Sequence, residues 1–228
     1  MKIYAFIFAR GASKGIKNKN LSLVNGKPLI LYSLTLAKSI KEIDKIFVST
    51  DDKKISNFAK KHGATIIERP KKLATDKSKE IDSWKHAVKW LTDKNDTFDV
   101  FISLPCTSPL RLKKDIINSL KIFKKNNSDM VINITDTNNN PYFNIVKMDK
   151  KNNLSLMNQN YKNFFRRQDV PKVFNLTTVG YITSPVYIQK TNNLLDGKIV
   201  GNLVPKERSI DIDTQFDLKL ANLIIKNK

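Results

Sequence analysis

Ile3 to Phe8 (IYAFIF), running directly into Ala9 to Asn20 (ARGASKGIKNKN), is the stretch on which the fold turns. An apolar strand ends in a loop that carries two glycines and several cations. Gly11 and Gly15 let the backbone turn and bring its N–H groups close to a ligand, while Arg10, Lys14, Lys17 and Lys19 supply charge for a polyphosphate. A nucleoside triphosphate is the ligand this pattern suggests. The loop has neither the G-x-x-x-x-G-K-[ST] spacing of a P-loop nor the G-x-G-x-x-G of a dinucleotide fold, which disfavours an ATPase or a dehydrogenase.

Outward from that strand, short β-rich runs alternate with helical patterns, the signature of an α/β fold: a doubly wound, mostly parallel sheet covered by helices. Leu29 to Ile40 reads as a helix behind Pro28, and Lys45 to Thr50 as a strand whose Asp51-Asp52 opens a helix to about Lys61. Ala64 to Ile67 gives a short strand, Glu68 to Lys79 a loop, and Glu80 to Asp93 a helix with Ile81, Trp84, Val88 and Leu91 at helical spacing. Phe98 to Leu104 (FDVFISL) has the near-continuous apolar character of a central parallel strand. A helix from Lys113 to about Lys125 and a strand from Met130 to Thr135 follow. From about 136 to 176 the alternation fails, which marks an insertion of the kind that contacts another subunit or closes over a site. Strand pattern resumes at Val179 to Thr183, and Phe216 to Ile225 forms the last helix.

With 228 residues, 40% of them hydrophobic, the chain is read as a single domain, 1–228, with one sizeable core. Its net charge of +20 raises the alternative of a non-catalytic basic module that binds nucleic acid, but the lysines are spread from Lys2 to Lys228 and form no block. Such a diffuse field still attracts anionic substrates. Cys106 is the only cysteine, so a disulfide within the chain and a thiolate metal cluster are excluded. Without a leader-like segment or an apolar run of membrane-spanning length, the expected location is the cytoplasm, with no membrane or nucleic-acid partner.

In doubly wound sheets, ligands bind beyond the carboxyl ends of the strands. The loops to watch are therefore Arg10 to Asn20, Ser49 to Asp52, and Thr107 to Arg111. Ser209-Ile210-Asp211-Ile212-Asp213-Thr214 alternates two carboxylates with apolar residues, so an extended backbone puts both on one face, as magnesium bridging a triphosphate needs. Asp213 or Thr214 also fits the cap of the last helix. Arg166-Arg167 suits a carboxylate or a phosphate, or is a solvated pair. His62 and His86 lie in or beside helices and offer no partner to Ser33, Ser103, Ser108 or Cys106, so hydrolase triads and histidine metal sites lack support. Cys106 reads as a packing residue.

Taken in order, ARGASKGIKNKN, VSTDD, ERPKKLATD, LPCTSPLR, RRQDVP and SIDIDTQFDL resemble the cytidylyltransferases that activate sialic acids and related nonulosonic acids as CMP-sugars. The resemblance implies a Rossmann-like nucleotidyltransferase fold whose insertion, about 136–176, serves dimerisation, in a homodimer where the arm reaches the partner's site. It implies CTP and a nonulosonic acid as substrates and Mg2+ as cofactor. By motif, CTP falls to Arg10, Gly11, Ser13, Lys19, Asn20 and Arg69; catalysis to Arg10, Lys19, Asp211 and Asp213; and the metal to Asp211 and Asp213. Ser108 and Arg167 are implied at the sugar site, Arg167 toward the neighbouring subunit. Two departures, Pro105-Cys106 for the family's Gln-Pro and Thr177 to Ile182 for its N-G-A-I-Y-I, both fall near the acceptor. The same chemistry on an eight-carbon acid such as Kdo is the alternative, and the S-K-G of the first loop, in place of S-S-R, argues against it.

Overall fold

The structure is a computed structural model that describes residues 1–13, 15–158 and 166–227. Its strands are β1 (Ile3–Phe8), β2 (Leu23–Val24), β3 (Lys27–Pro28), β4 (Lys45–Thr50), β5 (Thr65–Glu68), β6 (Val100–Ser103), β7 (Met130–Asp136), β8 (Val146–Met148), β9 (Leu154–Leu156), β10 (Phe174–Thr183) and β11 (Ile199–Leu203). The helices are α1 (Leu29–Ser39), α2 (Lys53–Lys61), α3 (Glu80–Thr92), α4 (Lys113–Asn126), α5 (Pro185–Lys190) and α6 (Gln215–Lys226). Seven strands form one sheet in the order β11-β7-β10-β6-β1-β4-β5, and β2–β3 and β8–β9 are separate pairs. Pairings in the large sheet are parallel except those of β10, which runs antiparallel to both β6 and β7.

Alternation along β1 builds both halves of the core. Ile3, Ala5 and Ile7 share one cluster with Leu29, Ile30 and Leu34 of α1, Ile55 of α2, Ile116 and Leu120 of α4, and Ala221 of α6. Tyr4 and Phe6 belong to the other cluster, with Phe47, Phe101 and the α3 residues Ile81, Trp84, Val88 and Leu91. That second half is aromatic: the Phe6 and Phe101 rings stack with centroids 4.2 Å apart, and Trp84 is fully buried beside Phe101. Truncating Phe101 to alanine there would cost about 3–5 kcal/mol.

Two helix starts form as their sequences dictate. The Asp52 carboxylate accepts the Ile55 N–H at 2.8 Å at the head of α2, and Thr214 with Asp217 forms a capping box on α6. Several elements depart from expectation. β10 begins at Phe174 rather than Val179, because Phe174 and Leu176 pair with β7 while their side chains stay exposed, which breaks the apolar pattern of a buried strand. β2, β3, β9, α5 and β11 are additional. β11 carries Gly201 and the buried Asn202, whose amide donates to Asn133 Oδ1 at 2.8 Å, a polar core contact that periodicity does not reveal.

Candidate active site

The loops after β1, β5 and β6 line a cleft of about 270 Å³ at the carboxyl edge of the sheet, whereas the loop after β4, expected to join them, reaches only the first loop through Asp51. Arg10, Ser13, Lys19 and Asn20 line it together with Arg69, Asp76, Ser78, Glu80, Ser83 and Thr107. The first loop is pinned from within the chain. The Gly11 N–H donates to Asp51 Oδ1 at 2.9 Å, and the buried Asn20 donates its amide to the Arg10 carbonyl at 2.9 Å. The Arg10 guanidinium pairs with Asp76 at 2.8 Å, and Lys19 Nζ pairs with Asp213 Oδ1 at 2.8 Å. Both expected phosphate-binding cations are thus held by carboxylates of the same chain. Lys17 is exposed outside the cleft lining, and Lys14 lies outside the described residues.

Gly15 serves close approach. A Cβ added there would stand 2.2 Å from the Asp213 carbonyl oxygen, so the loop lies directly against the aspartate segment. Residues 209–213 form no sheet strand, but the Ile212 N–H donates to the Thr107 carbonyl at 2.9 Å, and the Ile212 side chain is fully buried. Asp211 and Asp213 flank that anchor in the chain. Burial raises the Asp211 pKa, with the charge of Asp213 adding to the effect and the Thr107 and Thr178 hydroxyls and Lys19 opposing it. Asp211 Oδ1 is buried without a hydrogen-bond partner among the described residues. An orphaned carboxylate oxygen beside a second carboxylate fits Mg2+, which is bound through one or two carboxylates together with substrate phosphates. Thr214, not Asp213, caps α6, which leaves the Asp213 carboxylate to Lys19.

Arg69 is buried in the cleft wall. Its guanidinium donates to Ser49 Oγ at 3.2 Å and to the Ser49 carbonyl at 2.8 Å, and lies over the Phe8 ring at 5.5 Å. Burial lowers its pKa to about 10. Glu80, at the start of α3, faces the same space. By surface area it is exposed through the open cleft, yet the protein packed around its carboxylate raises the pKa to about 6, against the attraction of Arg69.

Ser108 is fully buried and shares a hydrogen bond of 2.7 Å with the Thr178 hydroxyl, so Thr107 rather than Ser108 meets the cleft. The buried Arg111 ties the region together, donating to the carbonyls of Pro105 at 2.6 Å and Val179 at 3.0 Å and to the Ser33 hydroxyl. Arg166 pairs with Asp169 at 3.0 Å; the side chain of Arg167 lies outside the described residues. Cys106 is buried, which pushes its thiol up to about 12 and suits packing. His62 stacks on Phe58 with its Nδ1 at 2.8 Å from the Phe58 carbonyl, and burial lowers the His86 pKa.

Four contributors carry no role in the sequence reading. Asp76 sits inside a quoted motif, Glu80 heads a helix, and Asp115 and Arg208 form a buried ion pair at 2.9 Å that fastens the approach to Asp211 onto α4. Of these, Asp76 alone has a signal, its place in ERPKKLATD. The others emerge from tertiary contacts.

A model of the cytidylyltransferase family matches residues 4–217. Over 230 residues the chain is 31% identical to the CMP-N,N'-diacetyllegionaminic acid synthase of Campylobacter jejuni, covering all of this chain and 96% of that protein. It is 30% identical over 227 residues to the N-acylneuraminate cytidylyltransferase of Escherichia coli, of which it spans 53%, about half the length. Among solved structures, a CMP:2-keto-3-deoxy-manno-octonic acid synthetase complexed with CTP aligns over 100% of both chains with a TM-score of 0.74 at 16% identity, a likeness of fold.

Proposed function

Since the chain belongs to the cytidylyltransferase family, we propose that it transfers CMP from CTP to the anomeric hydroxyl of a nonulosonic, sialic-type acid and releases pyrophosphate. The observation that carries this reading is the pairing of Arg10 with Asp76 and of Lys19 with Asp213 at the mouth of one cleft. Both cations are in place and neutralised until a polyphosphate replaces their carboxylates. The nine-carbon acids are favoured over the eight-carbon one because relatives named for them match at 30% and 31% identity, whereas the octonic acid enzyme matches in fold at 16%.

In the reaction, the anomeric hydroxyl loses its proton to water and its oxygen attacks the α-phosphorus, forming a new O–P bond. The bond to the α–β bridging oxygen breaks, and pyrophosphate leaves with the electron pair. Arg10 and Lys19 neutralise charge on the transferring and leaving phosphates, which is the main task of such a site. Asn20 fixes the Arg10 backbone, and Asp51 fixes the Gly11 N–H, so the loop is organised before substrate arrives. Mg2+ would be held by Asp211 and Asp213, and when bound supplies charge neutralisation on the triphosphate and a lower pKa for the attacking hydroxyl.

The homodimer contact falls on the arm. Phe143, Val146, Met148, Leu154 and Met157 are 37% to 65% exposed there, and a second copy would cover them and place the arm, with Arg167, beside the neighbouring acceptor site. A cytoplasmic enzyme is consistent with a lone, buried thiol and a nucleotide substrate; no described helix is long and apolar enough to cross a membrane.

A pyrophosphate-release screen tests the reading, with CTP, UTP, ATP and GTP each offered sialic, legionaminic and pseudaminic acids, their deaminated relatives and Kdo. Release with CTP and at least one nine-carbon acid, dependent on Mg2+, is the expected result. Absence of release with every acid overturns the proposal, and release with Kdo alone replaces it by the eight-carbon reading.

A further inference from the structure

Asp211 and Asp213 lie outside the sheet, in the stretch that joins β11 to α6, so no strand ladder fixes where their carboxylates stand. Two anchors hold that stretch instead. Downstream, the Ile212 N–H donates to the Thr107 carbonyl at 2.9 Å. Upstream, Arg208 grips Asp115: its Nε donates to the two carboxylate oxygens at 3.2 and 3.0 Å, and its Nη2 donates to Oδ1 at 2.9 Å. Ser209, Ile210 and Asp211 are all that lies between the anchors, a link too short to absorb a displacement of Arg208.

Asp115 is a firm point to grip. It is 2% exposed, its Oδ2 accepts the Leu112 N–H at the head of α4, and its carbonyl accepts the Asn202 amide from β11. The pair therefore ties the aspartate stretch to a helix start and to the sheet at once. A buried ion pair is a weak stabiliser, because the cost of desolvating both charges offsets their attraction. A guanidinium that meets both oxygens of a carboxylate instead fixes distance and direction, which a lysine cannot reproduce. Arg208 does not line the cleft, so its contribution to the reaction passes through the aspartates. Resting on the proposed use of Mg2+ at Asp211 and Asp213, we infer that Arg208, held by Asp115, is the positioning residue that keeps these two carboxylates where a metal–triphosphate can use them.

The test is calorimetric titration of CTP into the full chain, without acceptor, in EDTA and over a series of Mg2+ concentrations. Two variants are set beside the wild type, with circular dichroism and thermal unfolding to verify folding. Arg208→Lys keeps the charge and loses the fork. Arg208→Met combined with Asp115→Asn removes both charges, leaves no buried charge unpaired, and keeps an acceptor for the Leu112 N–H. Wild-type CTP affinity should rise with Mg2+. In both variants the Mg2+ concentration at half of that rise should increase by about tenfold to a hundredfold, the range for partners that orient metal ligands, while affinity in EDTA stays within about twofold. A folded variant with the wild-type Mg2+ midpoint overturns the inference and leaves the transferase reading intact. Equal affinity losses in EDTA and in Mg2+ also overturn it, as does failure of both variants to fold, and either result assigns the pair to general packing. A wild type whose CTP affinity ignores Mg2+ overturns the metal reading and this inference together, and pyrophosphate release then judges the transferase reading by itself.

Discussion

The phosphate end of the cleft and the arm at 136–176 are built on opposite terms. At the phosphate end each cation has a carboxylate at 2.8 Å, the loop backbone is tied at Gly11 and Arg10, and Gly15 lies against the Asp213 carbonyl. In the arm, the hairpin β8–β9 leaves Val146, Met148 and Leu154 49% to 65% exposed and carries no fully buried hydrophobic residue. One region is complete within a single chain. The other has apolar surface that single-chain folding does not remove, and it is where the proposed homodimer would make its contact. Binding the nucleotide and completing the acceptor site should therefore be separable.

The largest effect that would break this contrast is at the phosphate end. Arg10→Ala and Asp213→Ala should each lower kcat by about two to three decades, about 3 kcal/mol for a lost preorganised charge contact, with unfolding temperature nearly unchanged. Gly15→Ala should approach them, because its methyl group must displace the Asp213 carbonyl. Stopped-flow or coupled pyrophosphate assays measure the loss. A folded variant that kept near wild-type turnover would remove that residue from the machinery. A smaller effect is expected in the arm. Met148→Asp with Leu154→Asp should shift sedimentation from dimer to monomer and cut turnover about tenfold or more, the range of an interface hot spot, while CTP affinity stays within about twofold. If CTP affinity fell in step with turnover, the two halves would not be separable.

The same contrast explains what can be read from residues alone. β1, β4 and β6 are legible because each is a buried run ending in a polar loop, and α3 because Ile81, Trp84, Val88 and Leu91 keep helical spacing. The direction of β10 is not, since strand polarity leaves no mark on apolar spacing, and its first residues face solvent. Arg10, Lys19, Asp211 and Asp213 stand out by charge type and position, and the structure brings all four to one place. Ser108 is expected at the sugar, but its hydroxyl turns inward to Thr178, which lies in the irregular stretch of β10 between Leu176 and Tyr181. Arg111 and the Asp115–Arg208 pair stay hidden because their partners are distant in sequence.

The smallest effect sharpens the comparison most. If the phosphate end is complete because Asp76 neutralises Arg10 before the nucleotide arrives, then CTP must displace that carboxylate, and its removal should help binding rather than harm it. The pair is partly exposed, with side-chain accessibilities of 31% and 37%, so solvent and salt screen it and its worth is about 0.2–1 kcal/mol. Asp76→Asn should accordingly tighten CTP by at most about fivefold, and the gain should shrink as salt is raised from about 50 mM to about 500 mM, where the screening length falls to about 4 Å. Calorimetry at two salt concentrations reads it directly. Weaker CTP binding in Asp76→Asn at low salt would mean that Asp76 positions Arg10 for phosphate instead of occupying it, and the phosphate end would then be organised by its ion pair rather than merely kept neutral.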